Sequence, residues 1–240
     1  MDIRELLLYT DDALVVVNKP PGLRVIPDGY NPDLPHLSGL LQSALGRVWV
    51  VHRLDKETSG VILFARDAEA HRELNRQFEK REVHKAYHAI CVGMPEWQAT
   101  VIALPLRMDG DRRHRTLIDH QAGKPAETSV EVIQPLGVFT LLKALPHSGY
   151  THQIRAHLAA VDLPILADPL YRSLQPETQT GQQASRIAGN LPIQRSALHA
   201  NTITFTHPAS REEVHFDAPY PADFAESIRV LVEMRALTEQ

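Results

Sequence analysis

Between Val48 and Ala65 the chain sets two apolar, β-branched runs, Val48 to Val51 and Val61 to Ala65, around nine mostly polar or charged residues. The length and composition of the two runs predict buried strands. The Thr58-Ser59-Gly60 end has turn chemistry. His52-Arg53-Leu54-Asp55 would then lie on a loop held by two core strands, a placement that suits catalytic groups. A solvated hairpin loop with Arg53 and Asp55 as surface charges fits the same spacing, and spacing alone leaves both open.

Around this stretch the chain reads as alternating strands and helices. Leu14 to Val17 is a strand candidate after an Asp11-Asp12 turn, and Asn18-Lys19-Pro20-Pro21-Gly22-Leu23 reads as a rigid turn. Ser38 to Leu45 predicts a short helix capped by Ser38 and closed by Gly46. Asp67 to Glu82 predicts a longer one, with Asp67 as N-cap and an Ala70, Leu74 and Phe78 stripe. Its Arg72, Arg76 and Lys80 line another face, which is a solvated surface or a contact for phosphates. His84 to Val92 reads as a strand carrying Lys85 and Tyr87. Asp109 to Arg115 places Arg112, Arg113 and Arg115 beside a glycine turn, the densest basic patch in the chain and either an exposed charged turn or a phosphate contact. Ser129 to Ile133 and Phe139 to Ala144 read as strands. Thr151 can cap a helix with an Ile154, Leu158 and Val161 stripe, which would keep Arg155 beside the core. Residues 173–194 are polar with little periodicity and are expected to form a mobile loop. Ala197-Leu198-His199-Ala200 restarts ordered structure, Thr202 to Thr206 alternates like a strand, and Phe224, Ile228, Leu231 and Val232 make the last helix amphipathic.

Composition narrows the classes. Hydrophobic residues at 43% and charged residues at 22% are ordinary for a soluble globular protein. The net charge of −4 gives no global basic field, so any nucleic acid would be bound through local patches. A single cysteine, Cys91, excludes an intramolecular disulfide and fits a reducing compartment. No run approaches the roughly 18 apolar residues of a membrane span, and Asp2, Arg4 and Glu5 make a poor signal peptide. A cytoplasmic protein is expected. Thirteen histidines invite a metal, but His147, His152 and His157 recur every five residues and would diverge around a helix. His84 and His88 would stand roughly 13 Å apart on a strand, too far for one zinc. No nucleophile elbow, phosphate loop or dinucleotide fingerprint is present.

His52-Arg53-Leu54-Asp55 with Thr58-Ser59-Gly60 resembles the signature of the RluA family of pseudouridine synthases. The resemblance extends to Asn18-Lys19-Pro20 before Gly22-Leu23, to Lys85 and Tyr87, to Gly123-Lys124-Pro125-Ala126, to His152-Gln153-Ile154-Arg155 before His157, and to Leu166 through Tyr171. It covers most of residues 9 to 220. Two departures stand out: Val25-Ile26-Pro27 where the family often has Val-His-Pro, and Tyr150 where an arginine is usual.

The resemblance implies an α+β pseudouridine synthase fold, with a mixed, mainly antiparallel central sheet, flanking helices and a central active-site cleft. It implies a single catalytic domain over residues 1–240 with no separate N-terminal S4-type RNA-binding domain. The activity implied is isomerisation of uridine to pseudouridine in structured RNA, either large-subunit ribosomal RNA or a tRNA anticodon stem-loop. In that scheme Asp55 is catalytic, Arg155 pairs with it, and Tyr87 packs on the base and is a candidate for removing the C5 proton. Arg53 helps eject the target base. His52, Lys85, Arg112, Arg113, Arg115, His152, Gln153 and Leu198 are the further substrate and RNA contacts. No cofactor or metal is expected, because reactant and product are isomers. RNA is the expected partner, with no membrane, and the protein is expected to be a monomer. A glycosidase would instead want two carboxylates about 5 to 9.5 Å apart. Two other classes remain: a base-releasing nucleosidase or glycosylase that uses the same aspartate, and an RNA-binding protein without catalysis.

Overall fold

The computed structural model describes residues 2–171 and 178–238. A short 3-10 turn, Ile3–Leu6, leads into β1 (Leu7–Thr10), β2 (Leu14–Lys19), α1 (Leu37–Leu45), β3 (Trp49–Val50), β4 (Ser59–Ala65), α2 (Ala68–Glu79) and β5 (His84–Val92). There follow β6 (Ala99–Ile102), β7 (Leu106–Arg107), β8 (Leu117–Ile118), β9 (Thr128–Leu136), β10 (Phe139–Pro146), α3 (Gln153–Ala160), α4 (Gln179–Ala188), β11 (Leu198–Thr206), β12 (Glu213–Asp217) and α5 (Ala222–Thr238). The class is the expected α+β. The chain forms two compact units, one running as far as Ala86 and including His199–Tyr220, the other comprising Tyr87–Leu198 and the chain from Pro221 onward.

In the first unit β4 is the organising strand. All seven of its residues are buried, and the apolar ones from Val61 to Ala65 explain why. It pairs antiparallel with β2, whose Leu14 to Val17 are fully buried, and parallel with β11 at His199↔Ser59 and Ala200↔Gly60. Gly60 is required at that crossing: its φ is +111°, and a Cβ there would lie 2.1 Å from the Ala200 carbonyl oxygen. Thr58-Ser59-Gly60 is therefore a strand entry rather than the turn that its composition suggests. The expected Val48 to Val51 strand is shorter and half-buried. Only Trp49 and Val50 pair with β4, and Trp49 instead stacks beneath the Arg47 guanidinium, 4.6 Å from its ring.

α2 begins where its sequence says. Asp67 Oδ1 accepts from the backbone N–H groups of Glu69 and Ala70, both at 2.8 Å, a cap worth about 1 kcal/mol. Its buried Gln77 pairs with β11, donating to the Thr206 carbonyl at 2.8 Å and accepting the Thr206 N–H at 3.0 Å. α1 is capped by His36 rather than Ser38; the imidazole accepts from Gly39 N–H at 3.0 Å.

In the second unit β10 pairs antiparallel with β5 and with β9, and β9 pairs with β6. α5 is fastened by Arg195 to Asp223 and by Ser227, whose hydroxyl accepts from Ile193 N–H at 3.1 Å. Phe224 and Leu231 face inward on α5, but Val232 is exposed. Of the polar stretch 173–194, residues 173–177 lie outside the described residues, while residues 179–188 form α4. Thr178 caps that helix by accepting from Gly181 N–H at 3.0 Å, and Ala184 is buried. The helix is mostly polar, Gln179 to Ala188 holding three glutamines, and leaves little hydrophobic period to read.

Candidate active site

The motif residues fall in both units, and each group is built from its own surroundings. Asp55 sits half-buried on the loop between β3 and β4. Leu54, just before it, is buried in the core. Just after it, the Lys56 carbonyl accepts twice, from Lys19 Nζ at 3.0 Å and from Gly22 N–H at 2.9 Å. The Asp55 carbonyl accepts Thr58 N–H at 3.2 Å, and Ser59 Oγ meets the buried His199 Nδ1 at 3.0 Å. Lys19 ends β2 with no exposed surface, and its ammonium also donates to the carbonyls of Pro20 and Leu23, both at 2.9 Å. The Asn-Lys-Pro turn thus grips the backbone one residue past Asp55. That rigidity suits a reacting carboxylate, whose position within a fraction of an ångström governs rate.

His52 has a structural task. Its Nε2 accepts the N–H of Leu63 at 3.1 Å, in the stretch of β4 between its pairing with β3 and its pairing with β11. A backbone N–H can only donate, so this nitrogen is unprotonated and the ring is neutral. Burial, helped by the Lys85 charge, pushes its pKa down to about 3. The ring stacks on Phe78 of α2 with centroids 4.8 Å apart, and Phe78 is half-buried there. Held in this way, His52 supports the loop from a half-buried position. Lys85 lies half-buried, its ammonium 5.8 Å from the Phe78 ring centre, and burial lowers its pKa to about 8. Arg53 is exposed, and among the described residues no ion pair or hydrogen bond holds its guanidinium.

In the second unit Tyr87 lies half-buried on β5, opposite Ala144 of β10. Arg155 lies in the first turns of α3 and is 6% exposed; its Nε and Nη2 donate to the Asp168 carboxylate at 2.6 and 2.9 Å. Asp168 is 1% exposed and also accepts from Leu170 N–H at 2.9 Å, Tyr171 N–H at 3.1 Å and Ser196 Oγ at 3.1 Å. Burial alone would raise the Asp168 pKa, but the Arg155 hydrogen bonds and charge, with the two backbone donors, outweigh it and hold the carboxyl below the usual range. Sequence reasoning gave Asp168 no role. The signal was the buried arginine itself, since a buried cation needs a counter-charge.

α3 starts at Gln153, and its N-cap is His152 in the left-handed region at φ 56°, with no side-chain cap bond. Thr151 is not the cap; its carbonyl instead accepts from Thr116 Oγ1 at 2.6 Å. Gln153 is buried and engaged on every side: its amide donates to Glu127 O and Thr128 Oγ1, and its oxygen accepts from Ser148 Oγ and Tyr150 N–H. It is a structural knot, its side-chain oxygen and nitrogen both engaged inside the protein. His152 Nδ1 meets the Tyr171 hydroxyl at 3.1 Å, and that hydroxyl also accepts Thr116 N–H at 2.7 Å. Leu198 is 4% exposed, so it belongs to the core and offers RNA little surface.

The basic loop divides. Asp111 accepts from the N–H groups of Arg113 and Arg115 and pairs with Arg115 Nε at 2.7 Å, which makes Arg115 a brace of the loop. Arg112 and Arg113 are exposed, with Arg113 Nη2 reaching Pro169 O at 3.3 Å.

Residues 13–160 match the family model described as RNA pseudouridylate synthase, and the chain belongs to that family. Ribosomal large subunit pseudouridine synthase D of Neisseria meningitidis serogroup B is 36% identical over 230 residues, covering 94% of this chain and 60% of the relative. The relative of the same name from Xanthomonas campestris pv. campestris is 37% identical over 239 residues, covering 97% of this chain and 71% of its own. The chain thus spans 60% of the length of the Neisseria relative. Among solved structures, human RNA pseudouridylate synthase domain containing 4 superposes with a TM-score of 0.74 at 28% identity, covering 96% of this chain and 94% of that one. Human RNA pseudouridylate synthase domain containing 1 gives 0.71 at 26%, covering 90% and 83%.

Proposed function

We propose that the protein isomerises uridine to pseudouridine in ribosomal large-subunit RNA, the substrate class named for its relatives, with a tRNA anticodon stem-loop as the alternative substrate. The observation that carries the reading is the Asp55 loop, where a motif aspartate is pinned by buried Leu54 before it and the doubly bonded Lys56 carbonyl after it.

In this proposal the target uridine leaves its stack at a cost of a few kcal/mol. The exposed Arg53 helps to eject it or fills the space that it leaves. Asp55 drives cleavage of the C1′–N1 bond, either by attack on C1′ or by stabilising positive charge on the sugar. The base turns and rejoins through C5; the C5 proton is lost, with Tyr87 as the candidate acceptor, and N1 gains a proton. Arg155 holds the reacting carboxylate ionised and oriented. Among the described residues no group of three or more His, Cys, Asp or Glu could hold a metal ion. The reaction as written balances without one.

The test is tritium release from C5-labelled uridine in protein-free large-subunit rRNA and in tRNA, for wild type and Asp55→Ala. Release by the wild type alone, without free uracil, is expected. Release accompanied by free uracil would replace the isomerase with a base-releasing glycosylase, and no release from either RNA would leave the chain as a binding protein.

A further inference from the structure

We infer that Tyr30 is a stacking platform for an unpaired base of the RNA, carried at the tip of a loop that is tied to the backbone of the Asp55 loop; this rests on the action on RNA proposed above.

Tyr30 is 98% exposed, so its ring leaves apolar surface in water with nothing packed against it. Ile26 and Leu34 of the same loop are also exposed. A single exposed apolar side chain carries no message, but three on one short loop form a patch.

The loop beneath the ring is built. Its base is in the core, where Val25 and Leu37 are buried. Its two limbs are stitched together by Leu37 N–H to Arg24 O at 2.8 Å and by Ser38 N–H to Val25 O at 3.0 Å. At the tip Asp28 Oδ1 accepts Tyr30 N–H at 2.8 Å and Asn31 N–H at 3.1 Å, and Asp28 pairs with Arg24 at 2.6 Å. Pro27, Pro32 and Pro35 fix φ at three further positions. The backbone is thus held while the ring stands free, so docking a flat partner costs less ordering than on a slack loop.

The first limb is also bonded to the Asp55 loop, within the same compact unit. Gly22 N–H donates to Lys56 O at 2.9 Å, and the Lys19 ammonium joins that carbonyl to Leu23 O. From Gly22 to Tyr30 the chain advances eight positions, a reach of at most about 28 Å. The ring therefore stays in the neighbourhood of the reacting carboxylate.

The chemistry of the loop selects its occupant. Arg24 is spent on Asp28, and Asp33 is exposed, so the loop offers phosphates no surplus of positive charge. It offers a free aromatic face instead, which accepts any unpaired base because every base has a π-face. A base inside a duplex has both faces covered by its neighbours and does not qualify.

The test is equilibrium binding of protein-free large-subunit rRNA and of a fully double-stranded RNA, over a range of salt, for wild type, Tyr30→Ala and Tyr30→Phe. Tyr30→Ala should weaken rRNA binding roughly tenfold and leave duplex binding unchanged. The plot of log affinity against log salt should keep its slope, because no phosphate contact is lost. Tyr30→Phe keeps the ring and should bind rRNA within about twofold of wild type. Both variants should unfold at the wild-type temperature, since the ring packs on nothing. Wild-type rRNA affinity for Tyr30→Ala would overturn the proposal. So would Tyr30→Phe as weak as Tyr30→Ala, which would assign the contact to the hydroxyl, or an equal loss on duplex RNA. A wild type that binds rRNA but releases no tritium would remove the isomerase reading alone, and the affinity ratios would still decide for or against Tyr30.

Discussion

The fully buried ammonium of Lys19 donates to the carbonyl of Lys56 at 3.0 Å, one residue past Asp55. The same ammonium holds Pro20 and Leu23, so one side chain joins the end of β2, the following turn and the Asp55 loop. Lys19→Met keeps the length and the apolar stem but strands these buried carbonyls. A loss of roughly 3 kcal/mol in unfolding free energy is expected, from the unsatisfied acceptors. In whatever fraction remains folded, turnover should fall roughly 10- to 100-fold through displacement of Asp55. Denaturant unfolding together with tritium release checks this; a folded variant with wild-type turnover would show that the clamp does not govern Asp55.

Acid should destabilise the fold through its histidines. His52 has a folded-state pKa of about 3 against 6.5 for the ordinary group, and His88 is lowered to about 4 by burial and the Lys143 charge. Between those values the unfolded chain binds protons that the folded chain refuses, so stability falls as pH drops below about 6.5. The expected loss between pH 8 and pH 5.5 is roughly 1 kcal/mol for His52 alone. His52→Gln, which can still accept the Leu63 N–H but does not titrate, should show a shallower fall over the same interval. Identical pH profiles for the two proteins would rule His52 out as a contributor.

Gln153 separates a structural from an RNA-contacting role. With its amide engaged by Glu127, Thr128, Ser148 and Tyr150, Gln153→Leu should cost roughly 2 to 3 kcal/mol of stability by leaving buried groups unpaired. RNA affinity per folded molecule should not change. A variant that melts like the wild type but binds RNA weakly would restore the contact implied by the motif.

These cases mark what the sequence made legible. Local signals survived folding: β5 occupies His84 to Val92 as its composition predicts, and Asp67 caps α2 through its own side chain. The Asp55 loop was recognisable because its residue order is distinctive. What escaped depends on partners distant in the chain. Gly60 has the chemistry of a turn, yet its conformation answers to the Ala200 backbone 140 positions later. Lys19 is held by carbonyls, which every residue possesses and no sequence pattern marks. The Arg155–Asp168 pair spans a strandless stretch with no fixed spacing rule. Helix α4 is hidden in the sequence because its residues are mostly polar, with three glutamines among ten.

The basic loop supplies the last prediction, and its three arginines should not behave alike. Arg112 and Arg113 are exposed, whereas Arg115 is bound to Asp111 and reaches Leu170 O at 3.4 Å, so its charge is already answered inside the protein. If RNA phosphates dock here, removing an exposed arginine releases fewer counterions on binding. Arg112→Ala or Arg113→Ala should therefore weaken RNA binding and flatten the plot of log affinity against log salt by roughly 0.7 to 0.9 each. Arg115→Ala should leave that slope near its wild-type value, and instead loosen the loop and lower the unfolding temperature. The net charge of −4 makes the contrast sharper, because no general basic field exists to mask the loss of one phosphate contact. Salt titrations of rRNA binding for the three variants decide the matter: equal slopes in all three would place the phosphates elsewhere, and a flattened slope for Arg115→Ala alone would invert the assignment within the loop.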